Sequence, residues 1–340
     1  MSRLNVLYQF NEKYVPYAGI SMVSLLENNR EIEEIVIYVL TEKVSQESIE
    51  KLKRQIEVYK RQICFIDTKE LVDKMKSLGI PEYRGSYATN MKMFAADYMP
   101  DEIERLVYID SDTIICGDVS SLMTMDMQGK PIAMALDSLG DKHKQLIGLQ
   151  KEDMYFNAGI ILFDIKKWKA EKCTERLQEH VKNVRAHYMS PDQDLLNIVF
   201  RNNILKLNIA FNLQPIHFVY EYSLYSKFFG QLNYYTEQEV GHAVENPIIL
   251  HTFRYLGEFP WHKNSLHPHT SYFDKYMKIS LWSDYQKQET EQNGLVFHIE
   301  KWLYCYLPKR LFLAIFKINF EYFIWKSNQD SLKQKNNKNM

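Results

Sequence analysis

The sequence predicts an α/β fold: a mainly parallel central sheet with helices on both faces, followed by a helical C-terminal extension. Two observations carry the sheet. Apolar strand-like runs alternate with helical spacings through the first 66 residues. Further on, the run Leu106-Val107-Tyr108-Ile109 drives straight into Asp110-Ser111-Asp112 and turns apolar again at Thr113-Ile114-Ile115. The extension is marked by a change of character near the C-terminus, where Trp, Tyr, Phe, Leu and Ile crowd between Lys301 and Trp325.

Leu4–Tyr8 reads as the first strand, and Tyr14–Leu26 has helical spacing through Tyr14, Tyr17, Ala18, Ser21 and Leu25. Strand, polar turn (Gln9 to Lys13) and helix make half of a nucleotide-binding unit. No G-x-G-x-x-G is present, which disfavours a dinucleotide site. Ile35–Leu40 is a second strand. Ser45–Lys60 is an amphipathic helix with Ser45 as its cap, and Ile63–Ile66 is a third strand. This βαβαβ run argues for parallel pairing. Gly79 to Gly85 is a break around Pro81, and Ser86–Met99 is a helix carrying Lys92.

The acidic pair is the centre of the chain. An apolar run bounded by polar residues reads as a buried strand. Side chains alternate on a strand, so Asp110 and Asp112 share a side while Ser111 faces the other way. Two adjacent carboxylates repel unless a proton or cation lies between them. Open α/β sheets bind ligands at this C-terminal edge. Oxygen ligands suit magnesium or manganese, and two carboxylates leave positions that a diphosphate fills. Two enzyme classes use such a pattern: metal-chelating sugar-nucleotide transferases, and haloacid-dehalogenase-type phosphatases, whose D-x-D-x-T is also matched by Asp110-Ser111-Asp112-Thr113.

Downstream, Gly117 to Leu122 is a turn opening a short helix, and Pro131–Leu136 is a strand ending in Asp137. Residues 140–153 form a polar excursion. Asn157-Ala158-Gly159 precedes an apolar strand, where a Gly permits close approach of a ligand or another backbone. Trp168–Val184 is one amphipathic helix. Ser190-Pro191-Asp192-Gln193-Asp194 starts another, with Pro and carboxylates suited to an N-terminus. Pro247–Leu250 is a short buried strand ending in His251, and Phe253 to Trp261 is an aromatic loop with the look of a site cover.

In the C-terminal segment, Lys309, Arg310, Lys317 and Glu321 interrupt any stretch of about 20 apolar residues, so it does not read as a membrane span. It suits either an interfacial helix, with its apolar face in the membrane surface and basic residues near anionic headgroups, or a last helix packed on the core. Ser327–Met340 is polar and reads as disordered. The division expected is 1–275 as the main domain, 276–326 as an aromatic and basic helical extension, and 327–340 as a tail.

With 42 basic and 43 acidic residues the net charge is −1, and nothing in bulk demands nucleic acid. Cys64, Cys116, Cys173 and Cys305 are scattered with no C-x-x-C, which argues against a zinc site or a disulfide framework. The N-terminus lacks the apolar stretch of a signal peptide, so a cytoplasmic location is expected.

Four stretches together carry a resemblance: Leu106 to Asp112, then Phe156 to Gly159, then Asp192 to Asp194, then His251 with Pro260-Trp261. In this order the chain, over about residues 4–275, resembles glycosyltransferase family 8, the retaining GT-A transferases that include bacterial lipopolysaccharide and capsule galactosyl- and glucosyltransferases. The resemblance implies a GT-A fold with a Rossmann-like sheet. It implies manganese (or magnesium) on Asp110, Asp112 and His251, and a UDP-sugar donor. Asn11 and Tyr14 would border the uracil, and Lys92 stands where the family usually has a donor-contacting arginine. Ser111 is counted with the donor-binding residues. Asp137, Asn157, Asp192 and Gln193 would line the donor sugar, and Gly257 would sit over the diphosphate. The acceptor implied is a glycan or lipid-linked glycan, reached at the inner face of the plasma membrane. Retention implies either a covalent intermediate on Asp192 or same-face attack with Gln193 beneath the anomeric carbon.

The chain departs from the family in three places. Asn11 replaces a usual Asp, Lys92 offers a point charge in place of a planar fork, and Phe259 stands where a basic residue is usual. Arg254 and Lys263 are the two nearby substitutes for that charge. The phosphatase reading is weakened because its nucleophile belongs on a first strand. A catalytically inactive nucleotide-sugar-binding relative is the third reading, motivated by Phe259.

Overall fold

The computed structural model describes residues 3–80, 82, 85–138, 141–183, 188, 190–230, 234–292, 294–319, 322, 325 and 326. Strand β1 (Arg3–Asn11) and a 3-10 turn (Glu12–Tyr14) lead into α1 (Val15–Asn28), with Pro16 in its first turn, where no N–H is needed. Strand β2 (Glu34–Glu42), α2 (Gln46–Val58), β3 (Gln62–Ile66) and α3 (Lys69–Ser77) follow. Ser45 caps α2 as its position predicts, its hydroxyl accepting the Ser48 amide at 3.2 Å.

The expected helix over Ser86–Met99 is instead a 3-10 helix, Ala88–Tyr98. Gln9 accounts for part of the difference. Its side-chain amide donates to the Thr89 carbonyl at 2.8 Å and accepts from the Lys92 backbone N–H at 2.7 Å, engaging groups that would otherwise bond along the helix. Strand β4 (Arg105–Ile109), β5 (Thr113–Ile115), α4 (Ser121–Thr124), β6 (Ile132–Leu136), α5 (Asp141–Leu146) and β7 (Phe156–Asp164) come next. Helix α5 lies inside the expected polar excursion. The helix expected over Trp168–Val184 is broken into α6 (Ile165–Ala170) and α7 (Cys173–Asn183), with Lys172 at a φ of 51° between them. The break lets Trp168 pack against Phe163 and Phe200 while its indole N–H reaches the Thr174 hydroxyl at 2.9 Å.

The remaining elements are α8 (Pro191–Val199), β8 (Ile204–Lys206), α9 (Pro215–Val219), α10 (Tyr222–Phe229), α11 (Glu237–Glu245), β9 (Ile249–His251), α12 (Thr270–Ile279) and α13 (Leu295–Tyr306). Among the described residues, seven strands form one sheet in the order β3-β2-β1-β4-β7-β6-β8. Every neighbouring pair is parallel except those of β7, which opposes both β4 and β6. The sheet is therefore mainly parallel. Strands β1, β6 and β7 are buried along nearly their whole length, which is why they read as unbroken apolar runs. The reversal of β7 matters for the site: its first residues, Asn157 to Gly159, lie at the edge where β4 ends.

A second, two-stranded sheet pairs β5 with β9 antiparallel, Thr113 opposite His251. A polar line on the buried face of α1, at positions i, i+3 and i+7, ties this small sheet down. Ser21 shares a hydrogen bond with the Thr113 hydroxyl at 2.9 Å, Ser24 accepts the Ile115 amide at 2.8 Å, and Asn28 donates to the Ile115 carbonyl at 3.0 Å.

After α13, residues 309–319 form a further helix. It turns Phe312 and Leu313, each 1% exposed, into the core, while α13 leaves Leu295, Val296, Ile299, Trp302 and Tyr306 exposed along one side. One part of the extension thus packs on the core, as one of the two alternatives expected, and the other presents an exposed apolar stripe. Among the described residues no helix is long and apolar enough to cross a membrane. The expected tail, 327–340, lies outside the described residues.

Candidate active site

A cavity of about 910 Å³ opens at the C-terminal edge of the main sheet. The ends of β1 and β4, the residue after β6, the start of β7, the first turn of α8 and the end of β9 all reach it. Eleven of the twelve residues expected at the site line it: Asn11, Tyr14, Lys92, Asp110, Ser111, Asp112, Asp137, Asn157, Asp192, Gln193 and His251.

Asp110, Asp112 and His251 converge, their ligating atoms all within 4.8 Å of one another. His251 Nε2 lies 3.6 Å from Asp110 Oδ2 and 3.5 Å from Asp112 Oδ1. The acidic pair is not on a strand, as alternation assumed. Strand β4 ends at Ile109 and β5 resumes at Thr113, leaving Asp110 to Asp112 as a bend. The bend is held by its backbone. The Asp110 N–H donates to the Gly159 carbonyl at 2.8 Å, and the Asp112 carbonyl accepts from the Thr252 N–H at 2.7 Å. Ser111 lines the cavity, but its hydroxyl is tied to the Gln9 carbonyl at 3.0 Å.

The imidazole is held in one orientation. Its Nδ1 faces two amide oxygens, Asn157 Oδ1 at 3.1 Å and Asn212 Oδ1 at 3.0 Å. Asn157 Oδ1 also accepts the Gly159 backbone N–H at 2.9 Å, which fixes the orientation of that amide. Nδ1 therefore carries a proton, and Nε2 is the nitrogen turned toward the two carboxylates. Gly159 makes room for the ring: a Cβ there would stand 2.5 Å from Nδ1 and 2.9 Å from Nε2. The close approach that this glycine permits is that of a side chain, not of a ligand or a backbone.

Lys92, 2% exposed, joins the acidic pair to α8. Its ammonium contacts Asp192 Oδ2 at 2.7 Å, the Ala158 carbonyl at 2.9 Å and Asp110 Oδ1 at 3.4 Å, and lies over the Tyr108 ring at 4.5 Å. The Tyr108 hydroxyl donates to the same Asp110 oxygen. Burial alone would push the Lys92 ammonium down, but Asp110 and Asp192 beside it carry it above the ordinary lysine value. Burial and the neighbouring Asp112 charge raise Asp110. For Asp112, burial is outweighed by its bond to His251, and its carboxyl is lowered. His251 is pulled down by burial and more strongly raised by Asp112 and Asp110.

Beyond this cluster the floor is a closed network. Gln193 accepts the Ala158 N–H at 3.0 Å and donates to Asp137 at 2.8 Å and to the Tyr155 hydroxyl at 3.1 Å. Asn157 donates to the same Asp137 oxygen at 2.8 Å. Asp194, the third member of the Asp-Gln-Asp run, does not line the cavity. Successive residues of a helix turn by about 100°, so Asp194 points behind the site, where Tyr155 at 2.6 Å and His143 at 2.8 Å hold it.

Aromatic rings build the other wall. Tyr17 stacks on Trp261 at 3.9 Å and Trp261 on Phe259 at 4.4 Å. Among the described residues, the buried Asn11 Oδ1 has no hydrogen-bond partner. Gly257 is the exception among the expected site residues. Tyr255 and Glu258 pair at 2.8 and 2.9 Å around Leu256 and Gly257, both at positive φ (48° and 74°). This is the mark of a two-residue type I′ hairpin. Gly257 is the glycine the turn requires, backed by Phe297, where a Cβ would meet the ring at 3.1 Å, and it does not line the cavity.

The architecture is that of GT-A glycosyltransferases. The chain superimposes on galactosyltransferase LgtC, solved with donor and acceptor sugar analogues, with a TM-score of 0.68 and 20% identity over 82% of this chain and 96% of that one. Glycosyl transferase family 8 matches residues 5–265, and the chain belongs to that family. It is 27% identical to lipopolysaccharide 1,2-glucosyltransferase of Escherichia coli, over 83% of this chain and 79% of the relative. It is likewise 27% identical to lipopolysaccharide 1,3-galactosyltransferase of Salmonella typhimurium, over 83% and 80%. Membership removes the phosphatase alternative.

Several residues at the site escaped the sequence. Asn212 orients His251, Tyr108 and Tyr155 hold carboxylates, and Phe312 and Leu313 of the extension line the cavity. Tyr108 lies within the Leu106 to Asp112 stretch, two residues before the carboxylate it bonds, whereas the others lie in none of the four stretches and reach the site through non-local packing.

Proposed function

We propose that this glycosyltransferase is a retaining, metal-dependent hexosyltransferase. It moves glucose or galactose from a UDP-sugar to a glycan or lipid-linked glycan in surface-polysaccharide synthesis. The observation that carries this reading is the convergence of Asp110, Asp112 and His251 on the cavity, with the far nitrogen of the ring held by two amide oxygens. Two carboxylates and an imidazole suit manganese, and magnesium less well. A cation held by these residues would supply Lewis acidity to the leaving diphosphate. The named substrates of the glucosyl- and galactosyltransferase relatives support the choice of hexose.

The chain's own groups favour one mode of retention. A covalent route needs a carboxylate free to attack the anomeric carbon. Asp192 is engaged by the Lys92 ammonium, and Asp137 by two amide N–H groups. Gln193 is held at both ends of its amide, which makes it a positioning surface and not a nucleophile. Same-face attack, with the leaving phosphate taking the acceptor's proton, fits this arrangement. Asn11 would accept from the uracil imide, with Tyr14 beside it.

UDP release from a panel of UDP-sugars, with manganese, with magnesium and with chelator, tests the reading. Manganese-dependent release from one hexose donor is expected. Manganese-dependent UDP binding without release from any donor, in the presence of glycan acceptors, would mark an inactive relative. Failure of UDP to bind with manganese would overturn the reading.

A further inference from the structure

Among the described residues, Arg254 is a cation of the cavity with no hydrogen bond and no close ion pair; the Glu291 charge reaches it only at longer range, and Glu291 is itself held by Lys13. Arg254 follows β9 by three residues and lines the cavity wall. Its guanidinium lies over the Phe259 ring, 5.2 Å from the centroid, and its Nε is buried with no hydrogen bond. Among the described residues no carboxylate lies within 4.0 Å of it. The other cations nearby are engaged. Lys92 is held by two carboxylates and a carbonyl, and Lys13 pairs with Glu291 at 2.5 Å. Lys263 does not line the cavity, and it faces Glu289 at 3.7 Å. Burial pushes His262 down, and its Nδ1 accepts the Phe259 N–H at 3.2 Å.

A guanidinium in a cavity wall that makes no hydrogen bond to the protein keeps its outer N–H donors for an anion. The planar fork offers five N–H donors, matched to paired anionic oxygens. Its support is rigid. Phe259 is stacked on Trp261, Trp261 on Tyr17, and the hairpin at Leu256-Gly257 fixes the approach of the chain.

Resting on the UDP-sugar reading above, we propose that Arg254 is the diphosphate clamp of this site. Its N–H groups take phosphate oxygens of the donor and share the charge that grows on departing UDP. Of the two basic residues near Phe259, the structure selects Arg254 over Lys263.

Binding of UDP and of uridine to the full chain with manganese separates this inference from the reading beneath it. Arg254→Ala is expected to weaken UDP binding by about 10- to 100-fold, the range of a charge-assisted hydrogen bond, and to leave uridine unchanged. Arg254→Lys should recover part of the loss, and Lys263→Ala should bind UDP as the parent does. If Arg254→Ala binds UDP normally while the parent also binds it, the clamp is wrong and the transferase reading stands. Equal losses of UDP and uridine would also overturn the clamp, by making Arg254 a support of the loop. A parent that binds no UDP overturns both.

Discussion

Gly159 and His251 share one space: the imidazole lies where any larger residue at 159 would place its Cβ. Ring and glycine are brought together by different strands, β7 and β9, and the ring is pinned on its far nitrogen by Asn157 and Asn212. It has little freedom to move aside. Gly159→Ala is therefore expected to displace the ring and weaken manganese binding on the order of 10- to 100-fold, with the far-ultraviolet circular dichroism unchanged. A manganese titration showing the parental affinity would mean that His251 is not a ligand.

Asp112→Asn keeps the shape of the side chain and removes a charged ligand. Metal-dependent donor hydrolysis should fall by on the order of 100-fold or more, with the fold intact. Near-normal turnover in that variant would exclude the chelate. Asn212→Ala acts one step further out, by taking away one of the two acceptors that hold the Nδ1 proton. A metal affinity about tenfold lower is expected, and an unchanged affinity would show that Asn157 alone orients the ring.

Gln193→Ala should slow transfer by about tenfold or more while largely sparing UDP affinity, because the residue faces the expected position of the sugar and not the nucleotide. Steady-state rates set beside UDP titrations decide it. Equal losses in both would make Gln193 a binding residue only.

Acid stability reads out two buried histidines. Burial lowers His267 from 6.5 to about 4 and His217 from 6.5 to about 3. A depressed folded value means that the unfolded chain binds the proton first. Stability is full above pH 6.5 and is lost as pH falls toward 4 for His267 and toward 3 for His217. His267 alone accounts for up to about 3 kcal/mol over that window. His267→Gln should flatten the slope of unfolding free energy against pH between these limits. A slope as steep as the parent's would assign the acid lability elsewhere.

The exposed stripe on α13 bears on location. Trp302→Glu combined with Ile299→Glu should release the protein from vesicles rich in anionic lipid, if this face is the membrane contact. Flotation of parent and variant side by side tests it, and equal flotation would clear α13 of that role. Deleting residues 300–340 is a poorer test, because Phe312 and Leu313 line the cavity.

Much of the molecule is legible in the chain. The strand–helix alternation, the Ser45 cap, the acidic pair at the end of β4 and the Asn-Ala-Gly and Asp-Gln-Asp segments are local patterns, set by side-chain periodicity and backbone preference. They determine the elements, the family and eleven of the residues that face the cavity. Which groups touch was decided elsewhere. His251 meets Asp112 because β9 pairs with β5 in one register. Gly159 meets that ring because β7 runs against its neighbours. The 3-10 segment carrying Lys92 is shaped by Gln9, more than 80 residues away. Asp194 and Gly257 belong to the right motifs yet face away, one by helical rotation and the other by a hairpin turn. Periodicity is a property of neighbouring residues, whereas convergence at a site depends on register, strand direction and loop closure between segments far apart in the chain, and these exist only once the core has packed.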